Sequence, residues 1–289
     1  MSEITKELII TSHPTEVQIA LLEDKKLVEI HREKMTEQFC VGNVYLGRVR
    51  KIMPGLNAAF ISIGSEKDAF LHYLDIGPNS LTISEYVKMV MSGNKRSMSA
   101  ISNQPQVQKV GKIADILTAG QQILVQVAKE PISTKGPRVT TEISFAGRYA
   151  VLVPFNDKVF VSQKIKGGEE RKRLRQIVSG VKPKNFGIII RTSAERKKAE
   201  DISKDIEQLV LRWKLMVDKL AVSQAPYKVA SELDRTSSLI RDLLNDSFQA
   251  IHVDDKDLFL EVKNYIKSFS DDKNDADIVK LYKDKIPIF

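Results

Sequence analysis

The sequence is short of cysteine, of histidine and of long apolar runs, and each shortage excludes something. A single cysteine, Cys40, in 289 residues leaves no internal disulfide framework and no multi-cysteine zinc site, and suits a reducing compartment. No apolar run approaches the roughly 18 residues of a membrane-spanning helix. The opening Met1-Ser2-Glu3-Ile4-Thr5-Lys6 lacks the basic-then-apolar order of a signal peptide. The four histidines, His13, His31, His72 and His252, show neither nucleophile pairing nor metal spacing. A phosphate-binding glycine loop, a dinucleotide fingerprint and a nucleophile elbow are all missing. The expectation is a cytoplasmic, multidomain protein without a membrane segment.

What the sequence does have is basic charge, concentrated in one place. The formal net charge is +8, but residues 1–40 carry −3, residues 41–120 carry +4, residues 121–200 carry +10 and residues 201–289 carry −3. A localised surplus between two mildly acidic ends is the electrostatic footprint of a polyanion partner.

Hydrophobic patterning divides the chain in the same places. Short alternating runs at Glu7–Ile10, Glu16–Leu22 and Leu27–His31 predict three antiparallel strands, with a tight turn at Glu23-Asp24-Lys25-Lys26. Residues 42–127 stay β-rich, interrupted by a polar stretch at 77–108 that reads as a long mobile loop with a short helix at Ser84–Met91. Further strands are predicted at Val139–Phe145, Tyr149–Val153, Val159–Val161 and Phe186–Ile190, and a basic helix at Glu169–Val178. A long helix is predicted from Ser193 to Leu220, because Ile202, Ile206, Leu209, Trp213, Met216 and Leu220 recur every three or four residues. After Ala225-Pro226 the pattern alternates helix, strand, helix and strand, and could complete one mixed α/β layer with the first forty residues.

Two stretches carry candidate chemistry. In residues 42–71 a glycine follows the first strand, a Pro54-Gly55 turn leads to the second, and Phe60 and Phe70 sit in two strand runs. That spacing is similar to an S1-type five-stranded barrel, in which exposed aromatics stack bases beside a basic groove. Phe60, Phe70 and Lys51 would supply those elements, unless both rings are barrel core. In residues 186–198 an apolar strand ends at Arg191, and Thr192-x-x-Glu195 has the form of a capping box opening the long helix. A helix start favours an anion, and the arginine fork matches two phosphate oxygens. The competing reading is a plain helix cap with Arg191 paired to a carboxylate. Lys164, Lys166, Arg171, Lys172, Arg173 and Arg175 add a basic cluster without aromatics, suited to backbone contact without sequence readout.

Taken in order, Ala58-Ala59-Phe60-Ile61, Ile143-Ser144-Phe145-Ala146-Gly147-Arg148-Tyr149-Ala150-Val151, Gly187-Ile188-Ile189-Ile190-Arg191-Thr192 and the final Leu281-Tyr282…Ile286-Pro287-Ile288-Phe289 resemble the N-terminal half of bacterial ribonuclease E/G endoribonucleases. The resemblance implies an α/β multidomain fold: a split RNase H-like domain (1–40 and 225–289) around an inserted S1 OB barrel (41–124) and an α+β 5′-sensor region (125–224). It implies recognition of a 5′-monophosphate by Arg191 and Thr192 with help from Gly147 and Val151, and RNA contacts at Phe60, Phe70 and Lys135; Lys51, Lys164, Arg171 and Arg175 join these as RNA contacts from the placement of charge alone. One departure is Ser162-Gln163-Lys164 where the family often has Ser-Arg-Arg.

The family's magnesium-holding aspartates and zinc-linking cysteines follow the Ile-Pro-Ile-Phe segment, so the resemblance implies no catalytic residue, metal or cofactor within these residues, no cleavage by this chain alone, and a monomer. The partner expected is single-stranded RNA, preferably 5′-monophosphorylated. The other function class is a stand-alone, non-catalytic RNA-binding regulatory protein.

Overall fold

The computed structural model describes residues 4–14, 16–34, 39–93, 98, 101–102, 104–233, 235–244, 247–269 and 273–284. The chain divides into two compact units, Met1–Gln38 with Leu233–Phe289, and Phe39–Glu232. The first unit opens with β1 (Lys6–Ser12), β2 (Glu16–Glu23) and β3 (Lys26–Lys34), three antiparallel strands in consecutive register. The β2–β3 turn is tight because Asp24 and Lys25 both take left-handed φ, 47° and 63°, the twist a two-residue hairpin requires.

The second unit begins with β4 (Val44–Met53), β5 (Ala58–Ser62), β6 (Ala69–His72), α1 (Ser80–Met91), β7 (Gln122–Lys129) and β8 (Arg138–Thr140). The strands pair in the order β4-β5-β6-β8-β7, and a further β4–β7 pairing closes a five-stranded barrel. The β6–β8 pair is parallel and the other pairs are antiparallel, an arrangement that fits an OB fold. Gly47 leaves room for the barrel interior: a Cβ there would lie 2.6 Å from the Ile61 side chain. Because β7 and β8 complete it, the barrel runs past residue 124 to Thr140.

Within the stretch from 77 to 108 that polarity marks as a long loop, residues 80–91 are helical, while residues 94–97, 99–100 and 103 lie outside the described residues. Helix α1 starts at Ser80 and buries Ile83, Tyr86, Val87 and Val90, a helical stripe that the surrounding polar residues obscure. Residues 104–112 are tied back to the fold, with the Val107 N–H donating to Pro78 O at 2.9 Å and the Tyr73 hydroxyl to Gln108 O at 2.8 Å.

Next come β9 (Phe145–Ala146), β10 (Ala150–Pro154), β11 (Val159–Val161), α2 (Gly168–Val181), β12 (Phe186–Ile190), α3 (Ala199–Leu220) and β13 (Tyr227–Ala230). Four of these strands form a sheet in the order β11-β12-β10-β9, and the predicted stripe of α3 is buried from Ile202 to Leu220. Trp213 sits within 6.3 Å, centroid to centroid, of Tyr86, Phe145, Phe155 and Phe186. The same core takes in Val44, Leu46 and Leu124 of the barrel, and β13 adds to the outside of β4. Each large side chain so buried stabilises the fold by roughly 1.5–3 kcal/mol.

The first unit is completed by α4 (Arg235–Leu243), β14 (Phe248–Val253), α5 (Lys256–Phe269) and β15 (Val279–Leu281). Its sheet has the order β15-β14-β1-β2-β3, with β14 parallel to both neighbours, so strands from the two ends of the chain share one sheet. The mixed α/β class expected from the sequence is what the structure has.

Candidate nucleic-acid interface

On the barrel, Phe60 of β5 and Phe70 of β6 are direct cross-strand partners, ring centroids 5.9 Å apart and edge to face. Both are partly exposed, and Lys51 of β4 lies opposite Phe60 in register and is exposed. The register places His72 beyond Phe70 on the same face, the rings 6.4 Å apart. Lys135 is exposed on the β7–β8 turn, which leads to Pro137, whose carbonyl accepts from the Phe70 N–H at 2.8 Å. The neighbouring Arg138 is held by Asp75 through two hydrogen bonds of 2.7 and 3.1 Å. Two half-open rings with cations beside them offer a flat apolar surface and positive charge, the two things a single-stranded nucleic acid needs.

The other predicted residues meet at the end of β12. The Arg191 guanidinium donates to Gly147 O at 2.6 Å, and its backbone N–H donates to Tyr149 O at 2.8 Å. Below that turn Asp205 of α3 accepts from the N–H groups of Arg148, Tyr149 and Ala150 at 3.0, 2.9 and 3.0 Å. Burial raises the Asp205 pKa above the usual carboxylate value, against the pull of the three N–H groups and of the Arg191 charge. Gly147 has to be glycine, because a Cβ there would stand 2.5 Å from an Asp205 oxygen. The Ser193 hydroxyl donates to the Arg148 carbonyl. Thr192 is exposed, and its Oγ1 lies 3.0 Å from Ser162 Oγ. Val151 pairs with Ile189 across β10 and β12, one row along from Arg191. A clamped guanidinium, two hydroxyls and a tight backbone turn therefore stand together.

The expected helix start at Thr192 is not there. Residues Thr192–Ala194 form a single 3-10 turn, Arg196 takes a left-handed φ of 60°, and α3 begins only at Ala199. Glu170 of α2 sets this break by accepting the Arg196 N–H at 2.8 Å. Thr192 spends its hydroxyl on Ser162 rather than on a helical N–H. The positive end of the α3 dipole is thus displaced from Arg191, and any anion held there depends on side chains and the 147–150 turn.

The basic helix is also more committed than its sequence suggests. Arg171 donates to the carbonyls of Ser162, Ile165 and Val161 at 2.6, 3.1 and 3.3 Å, locking the segment after β11. Engaged in this way, its guanidinium serves the fold. Arg173 grips Glu170 with two bonds of 2.7 Å, and this pairing takes the Glu170 pKa down to about 2. Lys164, Lys166, Lys172 and Arg175 are exposed.

Sequence reasoning missed Asp205, and named Ser162 only within the Ser162-Gln163-Lys164 departure without pairing it with Thr192. Asp205 carried one signal: it lies between Ile202 and Ile206 on the buried stripe, where a carboxylate must find donors. Among the described residues no three His, Cys, Asp or Glu side chains gather as metal ligands.

The model of the ribonuclease E/G family matches residues 144–289. Ribonuclease G of Haemophilus influenzae is 35% identical over 98% of this chain and 54% of its own length. Ribonuclease G of Escherichia coli K12 is 32% identical over 88% of this chain and 48% of its own length. Ribonuclease E of Nostoc is 31% identical over 94% of this chain and 37% of its own length. The chain spans about half the length, or less, of these curated relatives. Barrel, clamped arginine and these likenesses lead to one conclusion: the chain belongs to the ribonuclease E/G family.

Proposed function

We propose that this chain grips single-stranded RNA by its 5′-monophosphorylated end, as the RNA-holding portion of a ribonuclease E/G-type endoribonuclease acting in cytoplasmic RNA processing and decay. The observation that carries the reading is the end of β12, where the Arg191 guanidinium is fixed on the Gly147 carbonyl and the next residue, Thr192, shares a hydroxyl contact with Ser162. A terminal monophosphate presents two negative charges and several acceptor oxygens, which such a cluster matches. A 5′-hydroxyl offers neither. The basic surplus of residues 121–200 draws the polyanion in, while Phe60 and Phe70, on what we take to be an S1-type barrel, stack bases further along the strand.

Equilibrium binding of matched 5′-monophosphate and 5′-hydroxyl oligoribonucleotides tests the reading. Arg191→Ala should cost the phosphorylated strand about ten- to a hundredfold in affinity, the range of hydrogen bonds to a charged group, and leave the hydroxyl strand nearly unchanged. Arg191→Lys, which keeps the charge but not the fork, should fall between the two. Equal losses on both strands would make Arg191 a general or structural contact and overturn the proposal.

A further inference from the structure

A row of apolar side chains crosses the four-stranded sheet beside the Arg191 cluster. Phe160 of β11 pairs with Ile189 of β12, Ile189 with Val151 of β10, and Val151 with Ala146 of β9. The adjacent positions, Val161, Ile188, Ile190 and Leu152, face the core and are buried, so strand alternation turns the row away from it. Phe160 remains 50% exposed and Ile189 39% exposed. A lone exposed apolar residue is ordinary, but a contiguous row abutting a candidate anion site is not explained by folding.

The row continues directly into that site. Ser162, two residues beyond Phe160 on the same face, shares the 3.0 Å hydroxyl contact with Thr192, and Arg191 stands two residues beyond Ile189. Two residues along a strand span roughly 6.6–6.8 Å, about what separates the 5′-phosphate of a nucleotide from its own base. Adjacent strands are about 4.8 Å apart, so the ledge from Phe160 to Val151 is broad enough for a purine.

We propose that Phe160, with Ile189 beside it, is a stacking subsite for the nucleobase of the 5′-terminal nucleotide, making this chain select for an ordered, preferably purine, first base as well as for its phosphate. The subsite rests on the reading of Arg191 and Thr192 as the 5′-monophosphate site. It differs from the Phe60–Phe70 pair in serving one defined nucleotide and not the strand at large. No bond is made or broken; the ring supplies a face on which any base can stack, and larger bases stack better.

The test uses the full chain and 5′-monophosphorylated oligoribonucleotides that differ only at the first residue: adenine, uracil, or an abasic ribose. The wild-type chain should bind the adenine strand roughly tenfold more tightly than the abasic strand, with uracil between. Phe160→Ala should erase this difference by weakening the adenine strand most, the uracil strand less and the abasic strand not at all, and Phe160→Tyr should restore it. Thermal melting of both variants should match wild type, since the ring is half out of the fold. Equal affinity of wild type for adenine and abasic strands, or equal losses for Phe160→Ala on both, would overturn the subsite. Failure of the underlying reading looks different: wild type would then not distinguish 5′-monophosphate from 5′-hydroxyl, whatever the first base.

Discussion

Phe60 and Phe70 lean edge to face across two neighbouring barrel strands, and their positions follow from register alone. Arg191 is positioned by a chain of other groups: the Gly147 carbonyl it bonds, the turn that carries that carbonyl, and the Asp205 carboxylate that ties the turn down from α3. The barrel thus presents a surface, tolerant of what lies on it. The turn presents a fixed geometry, and fixed geometry is what a terminal phosphate needs and a run of stacked bases does not. Such a difference predicts that damage to the two regions will read out differently in binding.

The largest expected effect comes from the buried support. Asp205→Asn replaces one acceptor oxygen with an N–H₂ facing backbone donors, leaving at least one buried N–H unpaired, at about 1–3 kcal/mol of stability. Chemical denaturation should show that loss, and preference for 5′-monophosphate over 5′-hydroxyl should fall with it. A variant that keeps both full stability and full preference would show that the turn needs no anchor.

Next comes the barrel. Phe60→Ala or Phe70→Ala should weaken binding by about 1–2 kcal/mol, the scale of one lost base stack, and equally for phosphorylated and hydroxyl ends. A loss confined to phosphorylated strands would erase the contrast between the two regions.

The smallest effect belongs to Glu170. Its pKa is lowered from 4.5 to about 2 chiefly by its hydrogen bonds with Arg173, so its contribution is complete above about pH 4.5 and disappears as the pH falls toward 2. The pair is partly open to water, so Glu170→Gln should cost under about 1 kcal/mol at neutral pH, and acid unfolding of the variant should be correspondingly less steep in that window. A larger cost would mean that a single amide oxygen cannot serve both Arg173 and the Arg196 N–H, which ends the 192–194 turn.

Much of this was legible in the sequence. The α3 stripe and the three opening strands followed from period, and Arg191 was singled out by its place after an apolar strand. The start of α3 was not legible, because Thr192-x-x-Glu195 is locally a sound capping box. What defeats it is the Glu170 carboxylate, more than twenty residues away, holding Arg196 in a left-handed conformation. Helix α1 was half seen, since its apolar residues are separated by polar ones in a polar stretch. Arg171 looked like surface charge because nothing local shows that the chain after β11 needs its carbonyls satisfied.

The core that runs from Trp213 into Val44, Leu46 and Leu124 makes the barrel and the four-stranded sheet inseparable within Phe39–Glu232. On the proposed reading, two grips on one compact unit behave as a caliper. If the first holds the end of a strand and the second holds bases further in, the span between them sets a minimum number of unpaired nucleotides, and a 5′ end buried in a duplex closer than that span would be measured and refused.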